Sequence, residues 1–175
     1  MYYITVICGP SQTGKSTLVN NLIKIHPNIF YKPMQVTTRL KRDEEESGVD
    51  YNFITDNQYK NIKDNLIFRT HFNDHNYGTT NVLISEKIAL IIASEEGIND
   101  GIAALEDGRL EKGKTRLIII GLNKKDIPLD RENRSPDFIL NEFNVLKKCT
   151  EVINIAPGQY ANPVDVASTI VSYFL

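Results

Sequence analysis

The sequence predicts an α/β fold: a parallel sheet between two helical layers, organised around a phosphate-binding loop near the N-terminus. Three observations predict it. Gly9-Pro10-Ser11-Gln12-Thr13-Gly14-Lys15-Ser16-Thr17 satisfies G-x-x-x-x-G-K-[ST] with no misfit. A short β-branched and aromatic run at 2–8 precedes it, and a helical pattern at 16–25 follows, with Leu18, Leu22 and Ile25 on one stripe and Val19 beside it. Further on, apolar runs at 88–94, 116–121 and 151–155 alternate with helical patterns. That alternation argues for parallel strands joined by right-handed crossovers.

The loop carries its own chemistry. Backbone N–H groups must converge on a phosphate, so side chains must be absent where they would block it. Gly9 and Gly14 meet that need. Lys15 reaches β- and γ-phosphates as a point charge, and the Ser16 hydroxyl suits Mg²⁺. A helix starting there points its N-terminus at the anion.

A length of 175 residues suits one domain with a sizeable core. A net charge of −2 argues against a general nucleic-acid binder, which is usually basic. Cys8 and Cys149 are far apart and have no metal-site spacing; Cys8, inside the first strand, reads as a buried free thiol. A reducing cytoplasm fits this. The first strand starts at once, which leaves no room for a signal peptide, and no apolar run reaches membrane-spanning length. The expected partners are small molecules, with neither nucleic acid nor membrane among them. Oligomeric state is unspecified. There is no repeat, low-complexity tract or linker.

After the first helix, His26-Pro27-Asn28 ends the ladder. A short strand is expected at 29–31. Then come Gln35-Val36-Thr37-Thr38-Arg39-Leu40-Lys41-Arg42, an acidic loop at 43–48, and a strand edge at 49–54. Thr55 or Asp56 caps a helix to about 64. Residues 66–72 read as a strand, 73–76 as a turn, and Tyr77-Gly78-Thr79-Thr80 as the return.

The phosphate loop, T-T-R-x-x-R, the acidic stretch, G-x-D-Y-x-F and Y-G-[ST] occur in that order. Together they resemble guanylate kinase, specifically over about residues 1–80 and weakly after. The resemblance implies a three-layer P-loop kinase fold in one domain. Residues 1–32 and 81–175 would form the core, and 33–80 an inserted nucleoside-monophosphate-binding (NMP-binding) subdomain. ATP with Mg²⁺ would be the phosphoryl donor. Arg39 and Arg42, two cationic forks three residues apart, suit one acceptor phosphate; Tyr51 and Tyr77 add hydroxyl donors, and the resemblance implies this role for all four. Two positions depart from the family. Gln35 stands where the family has a guanine-contacting serine. Arg69 aligns, with a one-residue gap, to a glutamate that accepts hydrogen bonds from the guanine ring. Arginine cannot accept a hydrogen bond. Thr79 keeps the small hydroxyl. Asp74, Asp50 or Glu44 are alternative acceptors.

Residues 81–87 are shorter than the family's helix in this place. The family's acidic residues on the next strand fall at Ile92 and Ser94. Glu95 and Glu96 follow one step later, either as replacements on the metal side or as first-turn acids of a helix at 96–105, where the dipole favours them. That helix is expected to bury Ile98, Ile102 and Leu105. The polar stretch 123–135 is read either as a mobile lid, with Arg131 and Arg134 resembling lid arginines by position, or as a solvated loop. Pro136 is expected to start a helix to about 148, with Phe138, Ile139, Phe143 and Leu146 inward. The last helix opens at Asn162 or Pro163, with Val164, Ala167, Ile170, Val171 and Phe174 inward.

The expected function is ATP-dependent phosphoryl transfer to a nucleoside monophosphate, nearest to GMP. Gln35 and Arg69 favour a rival within the fold, with another phosphorylated acceptor. The missing strand-end acids favour a binding or regulatory module with little turnover. Asn123-Lys124-Lys125-Asp126 spells N-K-x-D, a guanine reader in GTPases, but D-x-x-G after a strand is absent and T-T-R-x-x-R has no role there.

Overall fold

The computed structural model describes residues 1–81, 83–124, 126–127 and 143–174. Among them the chain runs β1 (Tyr2–Cys8), α1 (Lys15–Ile25), β2 (Phe30–Tyr31), β3 (Gln35–Thr37), β4 (Asn52–Phe53), α2 (Asp56–Ile62), β5 (Leu66–Phe72), β6 (His75–Thr80), β7 (Ile88–Ile92), α3 (Glu95–Glu106), β8 (Thr115–Lys124), β9 (Glu151–Ile155) and α4 (Pro163–Phe174). The main sheet has the order β2-β7-β1-β8-β9, with every pair parallel. The second, β4-β3-β6-β5, is mixed.

Alternation along β1 builds the three layers. Ile7 faces one core with Leu18, Val19 and Leu22 of α1 and Val166 and Ile170 of α4. Ile4, Val6 and Cys8 face the other, with Ile98 and Ala104 of α3 and Ile67 and Phe68 of β5. The central strands are buried on both faces, which is why they read as unbroken apolar runs.

Several elements differ from expectation. Ile25 is 47% exposed, because the α1 stripe drifts out of the core after Leu22. In α3 the buried face is Gly97, Ile98, Gly101 and Ala104, and Ile102 is exposed. Glycines face the sheet there because Phe68 needs the space. A β-carbon on Gly101 would lie 2.1 Å from the Phe68 ring. Val164 is exposed too, since Asn162 caps the Val164 amide and the first turn of α4 faces out. β8 continues past Gly121 to Lys124, pairing Asn123 and Lys124 with β9; two residues assigned to a polar lid are strand. Residues 143–148 form a 3₁₀ turn. Phe138, Ile139 and the rest of that expected helix lie outside the described residues.

β5 is bolted to α3. Phe68 takes φ +53 at a bulge between Ile67 and Thr70, which turns its ring into the α3 core. Gly101→Ala is expected to destabilise the fold by about 1–3 kcal/mol through overpacking. Urea unfolding checks this, with a lower midpoint at unchanged slope as the expected result. An unchanged midpoint would mean that the Phe68 ring yields freely.

Candidate active site

The phosphate loop leaves β1 at Gly9, whose φ of +132 suits glycine, and whose added β-carbon would lie 2.4 Å from the Leu122 carbonyl oxygen. At Gly14 (φ +88) the obstacle would be the Tyr160 ring, at 2.7 Å. Close packing against β8 and Tyr160 therefore demands these glycines, besides any phosphate. The loop's carbonyls are tied inward. Lys15 Nζ donates to the carbonyls of Gly9 (2.8 Å) and Pro10 (2.7 Å), and the buried Thr13 hydroxyl donates to Pro10 at 2.9 Å. Ser11 and Gln12 form the tip, Gln12 with φ +67. Gly14 gives α1 no side-chain cap, so the first-turn amides keep their donors for an anion.

Across from this loop stands the cationic cluster. Ser16, Val19 and Asn20 of α1 line one wall of a cavity of about 380 Å³; Gln35, Arg39, Arg42, Tyr51 and Tyr77 line the other. Arg39 is gripped end-on by Glu45, Nη1 to Oε2 and Nη2 to Oε1, both 2.8 Å. Its guanidinium lies 5.6 Å from the ring centres of both Tyr51 and Phe53. Tyr51 and Tyr77 meet edge-to-face at 6.3 Å. Glu45 also accepts from the Arg42 amide at 3.0 Å, so one carboxylate organises both arginines. Hydrogen bonds from the Arg39 guanidinium and the Arg42 amide hold the Glu45 carboxyl at about 2. The Arg42 guanidinium makes no hydrogen bond or ion pair among the described residues.

Gln35 and Thr79 are side by side, with Gln35 Nε2 donating to Thr79 Oγ1 at 3.4 Å; Thr79 is fully buried. Arg69 is elsewhere. Its Nε and Nη2 donate to Asp100 Oδ1 at 2.9 and 2.7 Å, its amide to Asp100 Oδ2 at 2.8 Å, and Arg109 holds the same carboxylate. Burial pushes Asp100 up, but the hydrogen bonds from Arg109 and Arg69 outweigh it and keep the carboxyl below its usual range. Arg69 therefore fastens β5 to α3 and does not line the cavity walled by Arg39 and Arg42. Of the alternative acceptors, Asp50 lines the cavity, while Asp74 sits in the β5–β6 turn and Glu44 is exposed.

Glu95 and Glu96 open α3 behind the Ser94 cap. Glu95 pairs with Lys148 at 3.0 Å, and Glu96 accepts from the His71 amide at 3.1 Å. Both stand in the first turn of α3, and neither lines the cavity beside Ser16. No cluster of three or more His, Cys, Asp or Glu suited to a metal occurs among the described residues. Ser16, exposed at the cavity wall, still fits Mg²⁺ carried by a nucleotide, because that ion keeps waters and phosphate oxygens as most of its ligands. Arg131 and Arg134 lie outside the described residues.

On the other side of the loop, Gln12, Gly14, Thr17, Lys124, Asp126, Ile127 and Tyr160 line a cavity of about 400 Å³. Lys124 Nζ lies 4.6 Å over the Tyr160 ring. Asn123 donates to Asn154 Oδ1 at 2.7 Å, and Asp126 accepts from the Gly158 amide at 2.7 Å. Two groups of the N-K-x-D spelling thus brace the sheet edge and the following loop.

Glu45 and Lys32 are cavity residues with little or no sequence signal. Glu45 is one of four consecutive acids at 43–46, with nothing in the sequence to single it out. Lys32 lies 5.5 Å over the Tyr51 ring, and burial pushes its ammonium down despite the Asp50 charge. Its only sequence signal is its place before Pro33.

This geometry sets a glycine-rich loop and the start of α1 opposite a pair of arginines across one cavity. The profile of the guanylate kinase family matches residues 2–94, and the chain belongs to that family. It is similar to guanylate kinase of Cutibacterium acnes, 37% identical over 89 residues that cover 49% of this chain and 44% of that protein. To guanylate kinase of Mycoplasma genitalium it is 40% identical over 78 residues, 43% and 32% of the two chains. The chain thus spans less than half the length of these relatives. The fold also resembles the crystal structure of guanylate kinase from Anaplasma phagocytophilum, with a TM-score of 0.67 at 16% identity over 98% of this chain and 83% of that one. No helix among the described residues is long and apolar enough to cross a membrane.

Proposed function

We propose that this chain transfers the γ-phosphoryl group of ATP to a nucleoside monophosphate, with GMP the leading acceptor. One observation carries the reading: a single cavity is walled by Ser16 at the start of α1 and by Arg39, Arg42, Tyr51 and Tyr77 opposite. An acceptor phosphate held by the arginines faces a γ-phosphate held by the loop. An acceptor oxygen attacks the γ-phosphorus in line; the new P–O bond forms as the bond to the bridging oxygen of ADP breaks. The acceptor is already an anion, so no protein nucleophile or strong base is needed. Catalysis rests on positioning and charge. Lys15 moves its ammonium from the Gly9 and Pro10 carbonyls to the phosphates. Ser16 would hold Mg²⁺, which supplies charge neutralisation when bound. Residues 33–80 act as the acceptor-binding part.

A second reading keeps the reaction and changes the acceptor. It is favoured by Arg69, which is committed to Asp100, and by Gln35, an amide where the family has a hydroxyl. A coupled ADP-release assay with ATP, Mg²⁺ and GMP, dGMP, AMP, UMP, CMP and dTMP separates the two. Turnover strongest with GMP is the expected result. Turnover strongest with another monophosphate would support the second reading. No turnover with any of them, alongside measurable ATP binding, would overturn transfer to a nucleoside monophosphate in favour of a different phosphorylated acceptor or a binding module.

A further inference from the structure

The two cysteines, 141 positions apart in sequence, meet at the root of the phosphate loop, with Sγ atoms 3.4 Å apart. Cys8 is the last residue of β1, fully buried and joined directly to Gly9. Cys149 follows the 3₁₀ turn at 143–148 and is half-buried. Gly121, the β8 partner of Cys8 in register, makes the meeting possible: a β-carbon there would lie 2.6 Å from the Cys149 sulfur. The neighbouring Thr150 is fixed to Ile119 of β8 by two hydrogen bonds, amide to carbonyl at 2.7 Å and Ile119 amide to Thr150 Oγ1 at 3.0 Å. The proposed phosphoryl transfer uses neither thiol.

We propose that Cys8 and Cys149 form an oxidisable dithiol, converted by a peroxide into an intramolecular disulfide that displaces the start of the phosphate loop. The two thiols are unequal in a way that assigns their roles. Cys149 is the sulfur that a small oxidant reaches, and the hydrogen bond from Cys8 pulls its thiol down toward the thiolate. The same bond, with burial behind it, pushes Cys8 far up, so Cys8 stays protonated. The Cys149 thiolate attacks a peroxide oxygen; the O–O bond breaks, hydroxide leaves and takes up a proton, and a sulfenic acid forms. The Cys8 sulfur then attacks the Cys149 sulfur. The S–O bond breaks, and the Cys8 proton leaves with the hydroxyl as water. Two thiols and one peroxide give one disulfide and two waters.

An S–S bond of about 2.05 Å requires the sulfurs to approach by more than an ångström from their 3.4 Å contact. Thr150 restrains the Cys149 side, so Cys8 and Gly9 share the displacement. Gly9 opens the phosphate loop, so its displacement shifts the backbone amides that would hold the nucleotide's phosphates. The coupling to nucleotide binding rests on the function proposed above; the disulfide itself does not.

The test exposes the reduced full-length chain to hydrogen peroxide and follows intact mass, free thiols and affinity for a fluorescent ATP analogue. The expected result is a mass lower by two hydrogens, loss of both thiols, a monomer on a non-reducing gel, and full reversal by dithiothreitol. Affinity should fall about tenfold, the equivalent of one lost hydrogen bond. Disulfide formation should be faster in the folded chain than in urea, where the long intervening loop must first close. Cys149→Ser should bind the analogue like wild type and ignore peroxide. Cys8→Ala should gain oxygen on Cys149 with no crosslink. Both thiols still titrating, a covalent dimer, or oxygen gained on Cys149 beside an unreacted Cys8 in the native chain would each overturn the proposal. A disulfide that leaves affinity unchanged would overturn its link to the loop. A reduced chain that does not bind the analogue would instead count against the kinase reading, while mass and thiol count would still decide the disulfide.

Discussion

Lys15→Ala is expected to lower kcat for phosphoryl transfer by about 10²–10³-fold, the range seen when one preorganised charge-stabilising donor is removed. Charge on the transferring group rises in the transition state, and an ammonium at the β- and γ-phosphates meets it there without reorganisation. ATP affinity should fall much less. The loop amides and the uncapped N-terminus of α1 remain, and they bind anions by themselves. Lys15 also closes the loop by donating to the Gly9 and Pro10 carbonyls, and water can replace it at this half-exposed site. Thermal stability should therefore change little, which separates a lost charge from a lost fold. The coupled assay and a melting curve decide it. Turnover equal to wild type would refute the mechanism.

Arg39→Ala is the second large effect. It should raise the acceptor KM and lower kcat, with a combined loss of about 10²-fold or more in kcat/KM for the acceptor, because a misplaced phosphate cannot reach the in-line geometry. ATP binding should be spared. Glu45 makes this residue a positioned fork rather than a loose one. It takes one N–H from each terminal nitrogen and Leu40 takes another from Nη1, leaving Nε–H and one Nη2–H for Tyr77 and an acceptor. The sign of the pH effect follows. The Glu45 carboxyl is held below its ordinary value, at about 2. Its contribution is complete above the usual carboxylate range and is lost only as pH falls through about 2. No break in acceptor affinity near neutrality should come from this pair. An effect of Arg39→Ala confined to ATP affinity would contradict the assignment.

Elements with strong periodicity were legible in the chain. β5 and β9 occur at the residues their apolar runs predict, and Thr55 caps α2 through a reciprocal pair with Gln58. That Arg39, Arg42, Tyr51 and Tyr77 come together in one cavity was legible because their motifs have fixed spacings. What could not be read depends on tertiary fit. The buried face of α3 is not legible because glycines, which carry no hydrophobic signal, line it for the sake of Phe68. The commitment of Arg69 to Asp100 has no sequence signal, because it depends on how β5, bulged between Ile67 and Thr70, packs on α3. Glu45 and Lys32 become site residues only when the loop at 38–51 folds over the cavity. The Cys8–Cys149 contact likewise has no sequence signature, since it depends on how close two strands let a turn approach.

The bulged β5, with Phe68 in the α3 core and Arg69 shared with Arg109 on Asp100, also sets how the cavity can shut. The second sheet has one edge anchored and one edge free. β5 belongs mechanically to the body that carries the phosphate loop, while β3, β4 and the arginine-bearing loop hang from the far side through β6. On the proposed function, closure over an acceptor is expected to pivot at β5, with Arg39 and Arg42 travelling farthest and Arg69 least. Slow amide exchange should persist along β5 with and without nucleotides, while amides at 38–51 should become protected only when both substrates are bound.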